Sequence, residues 1–131
     1  MEKLTQAQEA VLKLKRVYFD EISYDYHANG KECLEYEFNF EKNIEEMQDN
    51  CYRICLKANV TDQNHTVELH IQVVGEFECG VEDEEFKDKI LNENAIAILF
   101  PYLRSQICLV TTQPENVPIN IPPINVLSLF A

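Results

Sequence analysis

NAIAILFPYLRSQICLV, Asn94–Val110, is the stretch whose reading decides the fold. It is almost unbroken apolar residue, with Pro101 inside it and Arg104 three positions later. Crossing a bilayer takes roughly 20 mostly apolar residues, and this run is shorter and interrupted. It reads as a helix buried within a soluble protein or against a second copy of itself. Proline in a helix interior costs about 3 kcal/mol, so a kink or a fresh start is expected at Pro101. Downstream, Thr111–Asn116 with Pro114 breaks the helix, and Pro118, Pro122 and Pro123 demand extended or turning backbone. Asn125–Phe130 is left for one or two turns of a final helix. Upstream, Asp83 followed by Glu84 and Glu85 suits a helix start.

The residues before the helix read as strands, and a sheet needs cover for its apolar face. LKLKRVYFDEISYDYH carries Leu12, Leu14, Tyr18, Ile22, Tyr24 and Tyr26 on one parity and Val17 and Phe19 on the other. A strand that is apolar on both faces is usually covered on both, which suggests a subunit interface around Val17–Phe19. After an Asn29-Gly30 turn signal, CLEYEFNFE alternates, with Leu34, Tyr36, Phe38 and Phe40 in and Glu35, Glu37, Asn39 and Glu41 out. KNIEEMQDN reads as an acidic loop. CYRICLKANVT places Tyr52, Ile54, Leu56, Ala58 and Val60 inward. TVELHIQVVGEFEC does the same with Val67, Leu69, Ile71, Val73 and Phe77, and Gly75 marks a bulge or a close approach. The class is α+β: a four-stranded antiparallel β-meander, a Pro-kinked long helix and a short C-terminal helix. Residues 1–11 read as a flexible N-terminus and 12–131 as a single domain.

Composition narrows the function. Of 131 residues, 46% are hydrophobic, and 23 acids against 11 bases give a net charge of −12. Nucleic acid is disfavoured, since phosphate contact needs a basic face; an anionic membrane surface is disfavoured likewise. Positively charged protein partners are favoured. The same charge also serves simply to keep an apolar protein soluble. Cys33, Cys51, Cys55, Cys79 and Cys108 form no CxxC pair, and MEKLTQAQEA lacks a secretory apolar core. A cytoplasmic chain with reduced thiols is expected. Cys51 and Cys55 share a strand face but stand roughly 13 Å apart, too far to chelate a metal together.

Catalytic chemistry finds no foothold. His27, His65 and His70 have no second ligand at metal spacing, and Ser23, Ser105 and Ser128 sit in no nucleophile motif. Neither GxGxxG nor GxxxxGK[ST] occurs, so no nucleotide or other cofactor is expected. What stands out is aromatic surface in excess of what so few elements can cover. Three readings follow: an oligomer with an apolar groove for other chains, a small α+β dimer enclosing an apolar ligand, or an oligomer binding one folded partner.

The residues Ile98-Leu99-Phe100-Pro101-Tyr102, then Arg104, then Pro123-x-Asn125 and Leu129-Phe130, resemble the SecB-type protein-export chaperones. Arg16-Val17-Tyr18, Ile22-Ser23-Tyr24, Tyr52…Val60 and Gly75-x-Phe77 fit the same family, over about residues 12–130. The resemblance implies an ATP-independent holdase that keeps unfolded chains in hydrophobic grooves, for export through the SecA motor or for one dedicated client such as an antitoxin. It implies a homotetramer, a dimer of dimers joined through first strands and long helices, with no membrane insertion. By position, client binding would fall to Tyr36, Phe38, Phe40, Val73, Phe77 and Phe130. The oligomer interface would use Val17, Phe19, Leu99, Tyr102 and Gln106. A SecA-facing acidic patch would comprise Glu21, Asp25 and Glu68, with His70 standing where an acid is usual. The sequence stops at Ala131, which by this resemblance omits a longer last helix and acidic tail.

Overall fold

The computed structural model describes residues 11–30, 35–122 and 125–130. Strands β1 (Lys13–Tyr26), β2 (Tyr36–Glu46), β3 (Cys51–Asp62) and β4 (Val67–Glu78) form one antiparallel sheet in the order β1-β4-β3-β2. A helical run follows: α1 (Glu84–Lys89) passes through a π-helical turn (Ile90–Asn94) into α2 (Ala95–Thr111), and a 3₁₀ segment spans Val126–Phe130. Leu34, Cys33, Pro123 and the first ten residues lie outside the described residues. Val11, assigned above to the flexible arm, packs against the core.

The α+β class is the one the sequence implies, with one change of order. Strands β2, β3 and β4 form the meander, whereas β1 pairs with β4, from Lys13↔Glu78 to Tyr26↔Val67. The connection lengths give the reason. Four residues join β2 to β3 and four join β3 to β4, but nine (27–35) separate β1 from β2. Nine residues span up to about 30 Å, enough to cross a sheet whose strands lie about 4.8 Å apart.

Two bulges in β1 settle its puzzling pattern. The pairing with β4 shifts between Leu14 and Arg16 and again between Phe19 and Glu21. Each bulge inserts one residue and so reverses which parity faces which side. As a result Leu14, Val17, Phe19, Ile22 and Tyr24 all lie opposite Phe77, Gly75, Val73, Ile71 and Leu69, on the helix side. Val17 and Phe19 therefore pack on the core of their own protomer. The bulges put both side chains on the helix side, so their apolarity by itself does not call for a subunit interface: period-two reading fails across a bulge.

Strand β2 is longer than expected. Lys42–Glu46 continues the strand, with Ile44 paired to Ile54, in place of an acidic loop. Asp49 and Asn50, both at φ 59°, make the turn; these side chains tolerate the left-handed region. Gly30 also adopts positive φ, 74°, at the turn signal.

The helix begins ten residues before Asn94. Asp83 holds the N-cap position without a side-chain cap bond, and Glu84 and Glu85 occupy the first turn, where carboxylates favour the positive end of the helix dipole. The run Glu84–Thr111 has 28 residues and a mean hydropathy of 1.2 in its most apolar window. Length alone therefore does not exclude a bilayer span. The apolar residues are instead explained by the sheet: Ile96, Leu99, Phe100, Leu103 and Ile107 are buried in the core. Pro101 lies inside α2 without ending it. Its missing N–H deprives only the Ala97 carbonyl, four residues back, and both residues are on the exposed side.

At the centre, Leu99 sits on Gly75. A Cβ at Gly75 would lie 2.6 Å from Leu99 Cδ2 and 2.6 Å from Phe77 Cε2. The glycine marks a close approach of helix to sheet, since its pairing with Ile54 on β3 is regular. After the helix, buried Thr111 pins the chain. Its hydroxyl donates to the Ile107 carbonyl at 2.7 Å and accepts from the Ile119 N–H at 2.8 Å.

Candidate functional site

The helix packs on the two central strands, β3 and β4, and leaves both edge strands partly open; the aromatic edge is β2. Tyr36, Phe38 and Phe40 alternate with Glu37, Asn39 and Glu41, so the three rings stand in one row on the helix side. Phe38 and Phe40 stack at 6.0 Å between centroids with planes 3° apart; Tyr36 tilts against Phe38 at 6.4 Å. Phe40 in turn meets Phe100 of α2 at 5.8 Å, tilted by 59°. The ladder thus runs from the buried helix, where Phe100 is 2% exposed, to the rim, where Phe38 is 41% exposed.

Two further groups frame the ladder. Lys42 lies with its ammonium 5.1 Å from the Phe130 ring centroid, a cation–π contact that holds the 3₁₀ segment over β2. At the other end the Tyr36 hydroxyl donates to Asn116 Oδ1 at 3.2 Å, tying the segment after α2 to the strand.

Of the six residues expected to bind clients, Tyr36, Phe38, Phe40 and Phe130 gather here. The other two do not: Val73 and Phe77 are 0% exposed, central in β4 under the helix. They have no surface to offer a client, because β4 is an interior strand with its helix-side row sealed. Phe100 was missed. It borders the buried row Ile96, Leu99, Leu103 and Ile107, and that helical spacing is the signal that finds it.

Of the five residues expected at the oligomer interface, Tyr102 is 43% exposed and shares one outer helix stripe with Ile98 and Leu109. Gln106 is half-buried. Leu99 is 0% exposed beneath that stripe, against Gly75, and is not available to a second subunit. The helix period puts it on the sheet side. Val17 and Phe19 are half-buried on the core, on an edge strand.

The opposite face of the sheet is charged. Asp25 and Glu68 are cross-strand partners, Ser23 and His70 come next, then Glu21 and Gln72. The three expected acidic residues therefore share one face. Lys57 Nζ lies 3.0 Å from Glu21 and tempers its charge, and His65 Nδ1 lies 3.7 Å from Glu68. His70 Nδ1 lies 2.6 Å from Asn59 Oδ1. On the same face burial pushes the Cys55 thiol pKa up, with the Asp20 charge adding to it, which disfavours the reactive thiolate.

Among the described residues no group of His, Cys, Asp and Glu is placed to hold a metal ion. A cavity of about 410 Å³ beside α2, lined by Arg104, Cys108, Leu109 and Asn120 among others, opens to solvent and is not an enclosed apolar pocket.

The family model described as SecB, preprotein translocase subunit SecB, matches residues 5–131. Protein-export protein SecB 1 of Francisella tularensis is 25% identical over 126 aligned positions, covering 89% of this chain and 85% of its own. An uncharacterized protein of Methanocaldococcus jannaschii is 37% identical over 65 residues, half of this chain, which span about two-fifths (42%) of that relative's length. In three dimensions the chain is similar to a SecB-like chaperone of Mycobacterium tuberculosis, solved with a peptide from the HigA1 antitoxin. The TM-score is 0.72 at 14% identity, over 88% of this chain and 91% of that one. That likeness gives the fold, a four-stranded antiparallel sheet with one long helix. The match over nearly the whole sequence gives the family: this chain belongs to the SecB family of chaperones.

Proposed function

We propose that the protein is an ATP-independent holdase that binds unfolded or non-native polypeptides. One observation carries this reading: an aromatic ladder, Tyr36-Phe38-Phe40, left open along an edge strand. Rings exposed in a row supply non-directional apolar contact to many side chains, and an edge strand supplies backbone groups common to every client. Neither demands a defined pocket. Net negative charge adds attraction for basic segments and speeds encounter.

The clients are export precursors or one dedicated chain such as an antitoxin; the M. tuberculosis neighbour, solved with an antitoxin peptide, supports the second alternative by likeness. A cytoplasmic homotetramer, paired through β1 edges and through the Ile98–Tyr102–Leu109 stripe, would leave β2 free. The Glu21, Asp25 and Glu68 face is the candidate contact for a SecA motor.

The test is suppression of aggregation of a chemically unfolded client at stoichiometric amounts. The wild type should suppress it. Phe38→Asp combined with Phe40→Asp should weaken client affinity by at least about 30-fold, as for loss of a hot spot, with unchanged far-UV circular dichroism. Full suppression by the double variant would move the site off β2.

A further inference from the structure

We propose that the cavity beside the last turns of α2 is a binding site for a small monocarboxylate with a short apolar body, and that Arg104 holds its head.

The chain builds this cavity by folding back on the helix. Arg104 and Cys108 are four residues apart and so share one face of α2. Buried Thr111 accepts the Ile119 N–H at 2.8 Å, which brings the next residues, Asn120 and Ile121, back alongside that face. There the Cys108 thiol donates to Asn120 Oδ1 at 3.0 Å. The space between helix and returning segment is about 410 Å³, within the range of roughly 300–1,000 Å³ typical of small-molecule sites.

Charge sets the ligand class. The chain has three arginines in a net charge of −12. Arg16 is matched by Glu76 at 3.4 Å and Arg53 by Glu45 at 3.3 Å. Arg104 is half-buried in the cavity wall, and among the described residues no group hydrogen-bonds or pairs with it. Among the described residues no carboxylate lines the cavity either. A guanidinium partly withdrawn from water without an anion lacks its strongest class of partner.

The groups around it are donors. Asn120 has its oxygen engaged by the thiol, so its NH2 remains to donate, and Ser105 adds a hydroxyl at the rim. The Thr112 hydroxyl donates to the Cys108 carbonyl at 2.7 Å, which satisfies an acceptor at the negative end of the helix dipole. Leu109 and Ile121 supply the apolar wall. One cation with two neutral donors matches a single negative charge; a phosphate dianion would stay half-compensated. A carboxylate is planar and takes the guanidinium fork on both oxygens. None of these residues belongs to the β2 ladder, so the site does not rest on the holdase reading.

The probe is hexanoate, titrated into the full chain and followed by amide NMR shifts, with ionic strength held constant by chloride. The shifts should saturate and centre on Arg104, Cys108 and Asn120. Hexan-1-ol, the same body without the charge, should bind about tenfold or more weakly. Butanoate should lose up to about fourfold per missing methylene. In Arg104→Gln the preference for acid over alcohol should vanish while the affinity for the alcohol is unchanged, and Arg104→Lys should keep part of the preference. Peptide-resolved alkylation gives a second readout: hexanoate should slow modification of Cys108 and not of Cys51. Equal binding of acid and alcohol by the wild type, or shifts centred elsewhere, overturns the proposal, and neither result depends on a variant folding. It is also overturned if the wild type ignores hexanoate while Arg104→Gln lowers the oligomer mass in light scattering, because the guanidinium then serves a neighbouring subunit.

Discussion

Strands β3 and β2 lie side by side and share the same period of two, yet their helix-side rows meet opposite fates. On β3, Tyr52, Ile54, Leu56, Ala58 and Val60 are at most 5% exposed. On β2, Tyr36 and Phe40 are half-buried and Phe38 is 41% exposed. The difference is one of width. A helix is about 10–12 Å across with its side chains, and strands lie about 4.8 Å apart. One helix therefore seals the two central strands and leaves the two edge strands, β1 and β2, partly in the open. The row over β3 stabilises the fold; the chemically similar row over β2 stays partly exposed and, on the proposed reading, is the one that meets clients.

The sharpest way to break that comparison is to cut into the sealed half. Leu99→Ala, which empties the space above Gly75, should cost about 2–5 kcal/mol in urea unfolding. A cost near zero would mean that the helix is not seated on β4 as described. Gly75→Ala approaches the same contact from the sheet. Its added methyl meets Leu99 and Phe77 at 2.6 Å, and such overpacking should cost about 1–3 kcal/mol. On the open half the balance should reverse. Phe38→Ser should change stability by no more than about 1 kcal/mol while client affinity collapses. A loss of several kcal/mol would place Phe38 in the core and erase the distinction between the two rows.

The smallest effect concerns the β1 edge. Burial pushes the Tyr24 phenol pKa up, with the Tyr26 charge adding to it. A group whose pKa is higher folded than unfolded withholds stability as the pH climbs from its ordinary value through the folded one. Folded protein should therefore show a late phase in an ultraviolet tyrosine titration, and some alkaline loss of stability. Tyr24→Phe should remove both; a late phase that survives the substitution, with only the ordinary phase losing one tyrosine, would place Tyr24 in solvent.

The alternating strands were legible from sequence because each side chain's face follows from its parity. That logic placed Tyr36, Phe38 and Phe40 together on one face. It failed at β1, because Lys15 and Asp20 are inserted at bulges and nothing in their chemistry announces an inserted residue. It also failed at Val73 and Phe77. Parity tells which face a residue takes, not whether another element lies over that face. Leu99 was misjudged for a related reason: the apolar run Ala95–Leu103 is rich enough to offer both an inner and an outer stripe, and the sheet decides which is which.

The sequence by itself determined the strands, the long helix, the aromatic row and the resemblance to SecB, since each is written in local spacing and residue type. Only the tertiary structure decided that β1 lies beside β4, that Gly75 takes Leu99, and that β2 keeps a regular free edge. Those outcomes depend on how strands pair across a long connection and on which of them a helix of fixed width can cover, relations between elements that no local pattern contains.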